Sequence, residues 1–173
     1  FKDIYNGCAE GRHKELQQSM PLGEVIMDMI ITHLPNPLVA QKYRIPIIWK
    51  GDLESPAGKA MLSCDPAGKA CFMVTAVQVD PHAGEVAVGR LFAGTLHKGS
   101  ELYIASQYKT EKLQQVCVYM GPDRIMVDEV PAGNIVALVG MKEVYSGETV
   151  SSDVIAPFEA IKHHSVPVVT KSI

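Results

Sequence analysis

The string Pro-Ala-Gly-Lys-Ala occurs twice, at 56–60 and at 66–70, and a Gly-Lys pair in a glycine-bearing loop is how many proteins hold phosphates. A phosphate loop needs two glycines separated by four residues, then Lys and Ser or Thr. Successive backbone N–H groups then cradle the phosphates and the hydroxyl meets the metal. Neither copy has that spacing. Six residues separate Gly51 from Gly58, and Ser63 stands where the second copy needs a glycine. Lys59 and Lys69 are each followed by alanine, which has no oxygen for magnesium. Asp65-Pro66-Ala67-Gly68 fits the loose D-x-x-G pattern of GTPases, but no Asn-Lys-x-Asp guanine reader occurs anywhere.

Other constellations fall short for comparable reasons. No G-x-S-x-G elbow presents a nucleophile. His163 and His164 are adjacent, so on an extended segment they face opposite ways, and no third ligand stands at a zinc-like spacing. A solvated linker is the reading there. Cys8, Cys64, Cys71 and Cys117 form no C-x-x-C pair and are too sparse for a disulfide scaffold, so reduced thiols in a cytoplasmic compartment are expected. His33 closes an apolar helical run and suits the negative end of the helix dipole, while His13 and His97 read as surface residues.

Charge points to phosphates only locally. The net charge of −3 offers no global attraction for nucleic acid. Residues 82–126, however, carry five basic side chains against four acidic ones, whereas in 127–160 Lys142 is the one basic residue among six acids. Lys98, Lys109, Lys112 and Arg124 lie in or near turns and are the candidate phosphate contacts. Tyr103, Tyr108 and Tyr119 stand among these lysines as base-stacking residues do, but at 6% aromatic content an extensive stacking platform is not expected. Arg90 interrupts the apolar face Val86, Val88, Phe92, which suggests pairing with an acid across the barrel or at a domain interface.

These residues need elements to carry them. A chain of 173 residues with 47% hydrophobic content supplies one packed domain and an appendage. Its apolar stretches are far short of a membrane span, and its first residues lack the regions of a signal peptide. The first 43 residues read as helical: a polar helix over 10–19, a second over 22–34 with Pro21 at its first position, and a short third after Asn36-Pro37 ending at Tyr43. The 22–34 run is apolar around most of its circumference and wants neighbours on more than one side, so a preceding segment is expected. From residue 69 the period becomes two, with β-rich runs at 69–80, 85–94, 101–105, 113–120 and 134–139 bounded by turn residues. Close spacing without long intervening helices argues for an antiparallel barrel. Gly84, Gly89, Gly94 and Gly99 recur every five residues, as turns, bulges and close backbone approaches require. Residues 166–173 read as a strand begun and cut off.

Longer strings narrow the field. Leu34-Pro35-Asn36-Pro37, then Ala40-Gln41-Lys42-Tyr43-Arg44-Ile45-Pro46, Gly58-Lys59-Ala60-Met61-Leu62-Ser63-Cys64-Asp65-Pro66 and Asp80-Pro81-His82-Ala83-Gly84-Glu85-Val86 resemble the elongation factor 2 family, archaeal and eukaryotic type. The run from Gly89 through Gly94 to Lys98-Gly99-Ser100-Glu101 is similar to the second-domain signature of translational GTPases, and Pro131-Ala132-Gly133-Asn134-Ile135-Val136-Ala137 to its later strand. The resemblance implies a mainly β fold, an antiparallel β-barrel of the translation-protein type preceded by a short α-helical segment. It places the end of the GTPase domain at 1–45, a six-stranded-type barrel, domain II, at 46–157, and a lead into the third domain at 158–173. It further implies a ribosome-dependent translocase whose GTP and magnesium sites lie upstream, so that no cofactor is held here and no residue here is catalytic. The barrel would dock on small-subunit ribosomal RNA and couple the GTPase domain to the third domain. The same residues are compatible with the second domain of another translational or spliceosomal GTPase, or with a free-standing interaction barrel.

Overall fold

The computed structural model describes residues 2–81 and 83–161. These divide into two compact units between Asn36 and Pro37. The expected domain boundary at 45/46 falls inside a helix of the second unit. His163, His164 and the strand expected over 166–173 lie outside the described residues.

The first unit holds three helices, α1 (Lys2–Ala9), α2 (His13–Ser19) and α3 (Leu22–His33). Leu16 of α2 packs over Gly7 of α1, where a Cβ would come within 2.8 Å of the Leu16 side chain. Pro21 takes the N-cap of α3 in extended conformation, one position earlier than its φ restriction alone suggests, and His33 sits in the last turn. Leu22, Val25, Met27, Met29 and Ile31 lie on more than one side of α3 and all are exposed. The sequence expectation of an over-apolar helix is met at that level.

The second unit opens with α4 (Pro37–Ile48), which runs past Tyr43 and through Pro46. A proline so close to the helix end removes a single late i→i−4 bond, a loss the last turn tolerates. The next helix, α5 (Pro56–Ser63), was not anticipated, although its signal is present. Ser55 caps it by accepting the Gly58 N–H at 3.1 Å, and Pro56 sits at a first-turn position where its missing donor costs nothing. The first Pro-Ala-Gly-Lys-Ala copy is therefore a helix start.

Among the described residues ten strands follow: β1 (Cys71–Asp80), β2 (Gly84–Ala93), β3 (Thr95–His97), β4 (Glu101–Ile104), β5 (Lys109–Lys112), β6 (Gln115–Met120), β7 (Asp123–Val127), β8 (Glu129–Pro131), β9 (Ile135–Val139) and β10 (Thr149–Ser151). Eight form one antiparallel sheet in the order β5-β4-β10-β1-β2-β9-β6-β7, and β3 pairs with β8 in a separate ribbon. Leu102 and Ile104 from near one end of that order share a single buried core with Val116 from near the other, together with Leu96 and Val130 of the ribbon. Side chains so far apart in the pairing order meet only if the sheet curls on itself, which makes this an antiparallel β-barrel. Five strands lie outside the β-rich runs read from the sequence: β5 has no apolar residue, β7 is five residues long, and β3, β8 and β10 have three residues each, too short to show a period.

The first four residues of β1 are buried on both faces. Phe72 and Val74 enter the barrel core, while Cys71 and Met73 turn outward to meet Ile45 and Trp49 of α4 and its exit, Met61 of α5, and Phe92 and Phe158. The Phe92 and Phe158 rings lie 5.1 Å apart, a favourable tilted aromatic pair. Gln41 of α4 is buried at 1% exposure and binds both neighbours: its Nε2 donates to the Met61 carbonyl of α5 and, at 2.8 Å, to the Phe92 carbonyl of β2. A small third cluster joins Val86 of β2 with Cys117 of β6 and Ala137 and Val139 of β9.

Candidate nucleic-acid interface

The fold separates the four candidate cations into two kinds. Lys98 lies in the β3–β4 turn, where Gly99 has φ of 82° and its N–H donates to the Leu113 carbonyl at 2.9 Å, while the Lys98 N–H donates to Asp128 at 3.1 Å. Lys112 ends β5 opposite Glu101. Both side chains line one open groove with Gly99, Leu113 and Gln114, of about 720 Å³. Neither has an ion-pair partner among the described residues.

Lys109 and Arg124 are committed elsewhere. The Lys109 ammonium lies 3.0 Å from Glu111, and the same carboxylate accepts the Lys142 N–H at 2.8 Å, tying the loop after β9 to strand β5. Burial raises the Glu111 pKa, but the Lys142 N–H and the ammonium groups of Lys109 and Lys142 outweigh it, and the net shift is downward. A carboxyl with a depressed folded-state pKa adds stability above its ordinary value of 4.5, and that stability is lost as pH falls through the folded value. Glu111→Gln should therefore be less stable than wild type by about 1 kcal/mol at neutral pH. The gap should close when urea unfolding is repeated well below pH 4.5; a gap independent of pH would mean the charge contributes nothing.

Arg124 pairs with Asp80 at 3.1 Å, and the Tyr119 hydroxyl, opposite it on β6, donates to Gln78 at 2.7 Å. Together they link the β1–β2 hairpin to β6 and β7. Arg90 on β2 makes no ion pair among the described residues, and its buried Nε has no hydrogen-bond partner. On the two neighbouring strands Arg90 stands opposite Ile135 and Met73. Its charge acts on Cys64, whose thiol is pushed up by burial and partly held down by the guanidinium.

Neither Gly-Lys pair forms a cradle. Lys59 pairs with Glu54 at 3.1 Å and Lys69 lies 3.9 Å from Asp153. The Asp65 turn is structural, its carbonyl accepting the Gly94 N–H at 2.8 Å and its carboxylate the Ala67 N–H at 2.9 Å. His97, read as a plain surface residue, faces Glu129 across the ribbon at 3.3 Å, an ion pair only when the imidazole is protonated. No helix among the described residues is long and apolar enough to cross a membrane.

Comparison with known proteins fits this geometry. Residues 69–153, the barrel strands, match the family "Elongation factor G domain 2". Elongation factor 2 of Picrophilus torridus is 56% identical over 174 residues, covering 100% of this chain and 24% of that protein. The same factor from Methanocaldococcus jannaschii is 55% identical over 175 residues, and from Archaeoglobus fulgidus 51% over 174, again with 100% of this chain and 24% of each relative covered. The chain thus spans about a quarter of the length of these curated relatives.

Proposed function

Since the chain belongs to the elongation factor 2 family, we propose that its barrel serves a ribosome-dependent GTPase, the translocase that moves messenger and transfer RNAs, by docking on small-subunit ribosomal RNA through Lys98 and Lys112. The observation that carries this reading is the convergence of those two unpaired lysines on one groove, while Lys109 and Arg124 are neutralised by Glu111 and Asp80. Two free ammonium groups beside an open groove suit backbone phosphates, which position an RNA without reading its bases. GTP and magnesium belong in this proposal to the GTPase domain of the whole protein. The residues of this chain do not fit them, because both Gly-Lys lysines face carboxylates and the first pair lies within α5. The barrel would pass movement between that domain and the third, with Arg90 a candidate interdomain contact, in the cytoplasm where ribosomes work.

The test is ribosome binding by the full-length factor carrying Lys98→Ala with Lys112→Ala, against one carrying Lys109→Ala with Arg124→Ala. Each phosphate contact removed should lower the steepness of log affinity against log salt by about 0.7–0.9. The first pair should show nearly twice that change and the second close to none. Equal changes in both pairs, or none in the first, would remove the groove as the docking site.

A further inference from the structure

A second surface has the opposite sign. Tyr103 of β4, Tyr108 of the turn before β5 and Tyr145 of the loop before β10, three of the chain's six tyrosines, line one cavity of about 390 Å³. Tyr108 is 84% exposed and Tyr145 55% exposed. A single exposed aromatic ring needs no explanation, but a cluster of them at one cavity marks an interaction surface. Tyr108 also has φ of 53°, a left-handed conformation that costs any residue with a Cβ.

Glu148 lines the same cavity and is only 2% exposed. Its carboxylate accepts the Ser106 N–H at 3.2 Å, the Thr149 N–H at 3.0 Å and the Ser106 hydroxyl. Every one of these donors is neutral. Among the described residues no Lys, Arg or His pairs with Glu148, and none lines the cavity. A carboxylate withdrawn from water without a counter-charge is costly, and a cation brought close repays that cost. Tyrosine faces carry the negative part of the ring quadrupole and attract cations in the same way. A nucleotide would stack on the rings but bring its phosphate towards Glu148, with no lysine in the cavity to offset the repulsion. Ile155 and Pro157, also lining the cavity, offer apolar surface for an aliphatic stem.

We propose that the Tyr103–Tyr108–Tyr145 cavity receives a lysine or arginine side chain of a protein partner, with the aromatic rings around the cation and Glu148 as its counter-charge. This is independent of the lysine groove and of RNA docking.

The test is NMR of the 173-residue chain titrated with three probes: acetyl-Gly-Arg-Gly-amide, the same peptide with citrulline, and adenosine monophosphate. The arginine peptide should shift the ring resonances of all three tyrosines saturably, and the citrulline peptide should bind about tenfold more weakly or worse. Tyr108→Ala with Tyr145→Ala should abolish the shift remaining at Tyr103. Glu148→Gln, which keeps an acceptor for the backbone donors, should weaken binding with the rest of the spectrum unchanged. If Glu148→Gln disturbs the fold, the surface tyrosine pair still decides. Equal binding of citrulline, preference for the nucleotide, or no saturable shift would overturn the proposal. Binding that appears only after Lys162→Ala would also overturn it, since the occupant would then be the chain's own cation.

Discussion

Gly89→Ala will cost the barrel at least the upper end of the ~1–3 kcal/mol range of overpacked cores, lowering Tm by about 6–12 °C. A Cβ at Gly89 would stand 2.0 Å from the Met73 carbonyl oxygen and 2.7 Å from the tip of the Phe72 ring. The ring can yield, but the carbonyl is backbone of the paired strand, held where the β1–β2 register slips between Val74 and Ala76. Gly84→Ala is the control. It has φ of 72° and nothing within 4 Å of an added Cβ, so it should cost about 1–2 kcal/mol, the penalty of the left-handed backbone alone. Trimming the ring separates the two obstructions. Phe72→Ala by itself should cost about 3–5 kcal/mol, as the buried ring lies in the barrel core. Combined with Gly89→Ala it should not rescue stability, because the carbonyl collision remains. Urea unfolding of the four variants, with unchanged m-values, measures this directly. A Gly89→Ala protein within error of Gly84→Ala would show that β1 shifts freely and that the strand pair is not the rigid spine of the barrel.

That contrast shows why the glycine rhythm was legible in kind but not in detail. A glycine every five residues announces special backbone, yet turn and close approach look the same in one dimension. Gly84 is a turn with a left-handed φ and open space around it, whereas Gly89 is a close approach to Met73 and Phe72, residues on another strand. The long strands were readable because ten-residue runs such as β1 and β2 are rich in Val, Phe and other β-favouring residues and end in turn chemistry. Strand β5, Lys-Thr-Glu-Lys, has no apolar residue at all, and pairing with β4 defines it. Candidate cations could be named from turns, but sorting them needed partners distant in sequence. Arg124 meets Asp80 on the β1–β2 hairpin, whereas Lys98 and Lys112 come together only because two turns share one end of the barrel. The tyrosines show the same limit. Tyr119 looked equivalent to Tyr103 and Tyr108, but its hydroxyl binds Gln78, while Tyr145, unremarked in an acidic loop, completes their cavity. Gln41 gave no sign either. A polar residue in a helical run reads as solvated, and only the approach of two carbonyls makes it central.

Gln41→Leu keeps the volume at that position and should still destabilise the second unit by about 1–3 kcal/mol, because the buried Phe92 carbonyl loses the Gln41 donor and the Met61 carbonyl is left with the long Cys64 N–H contact of 3.4 Å. Met61 ends in α5 and Phe92 in β2, so one amide group closes a three-way junction between α4, α5 and the barrel wall. Apolar packing around it, from Ile45, Trp49, Met61 and Phe92, is extensive but non-directional. The amide supplies the register. Gln41→Glu should be worse than leucine: it replaces the donor with a carboxylate facing two carbonyl oxygens, and burial of an unpaired charge adds to the repulsion. Stability should thus fall in the order glutamine, leucine, glutamate by urea unfolding. Amide exchange in α4 should rise more than in β9, which touches neither carbonyl. If leucine equalled wild type, water would be satisfying both carbonyls and the helices would be held by apolar burial alone. If α4 and β9 loosened together, the junction would be an inseparable part of the barrel's single cooperative unit, and movement entering through α4 would reach every strand without a hinge.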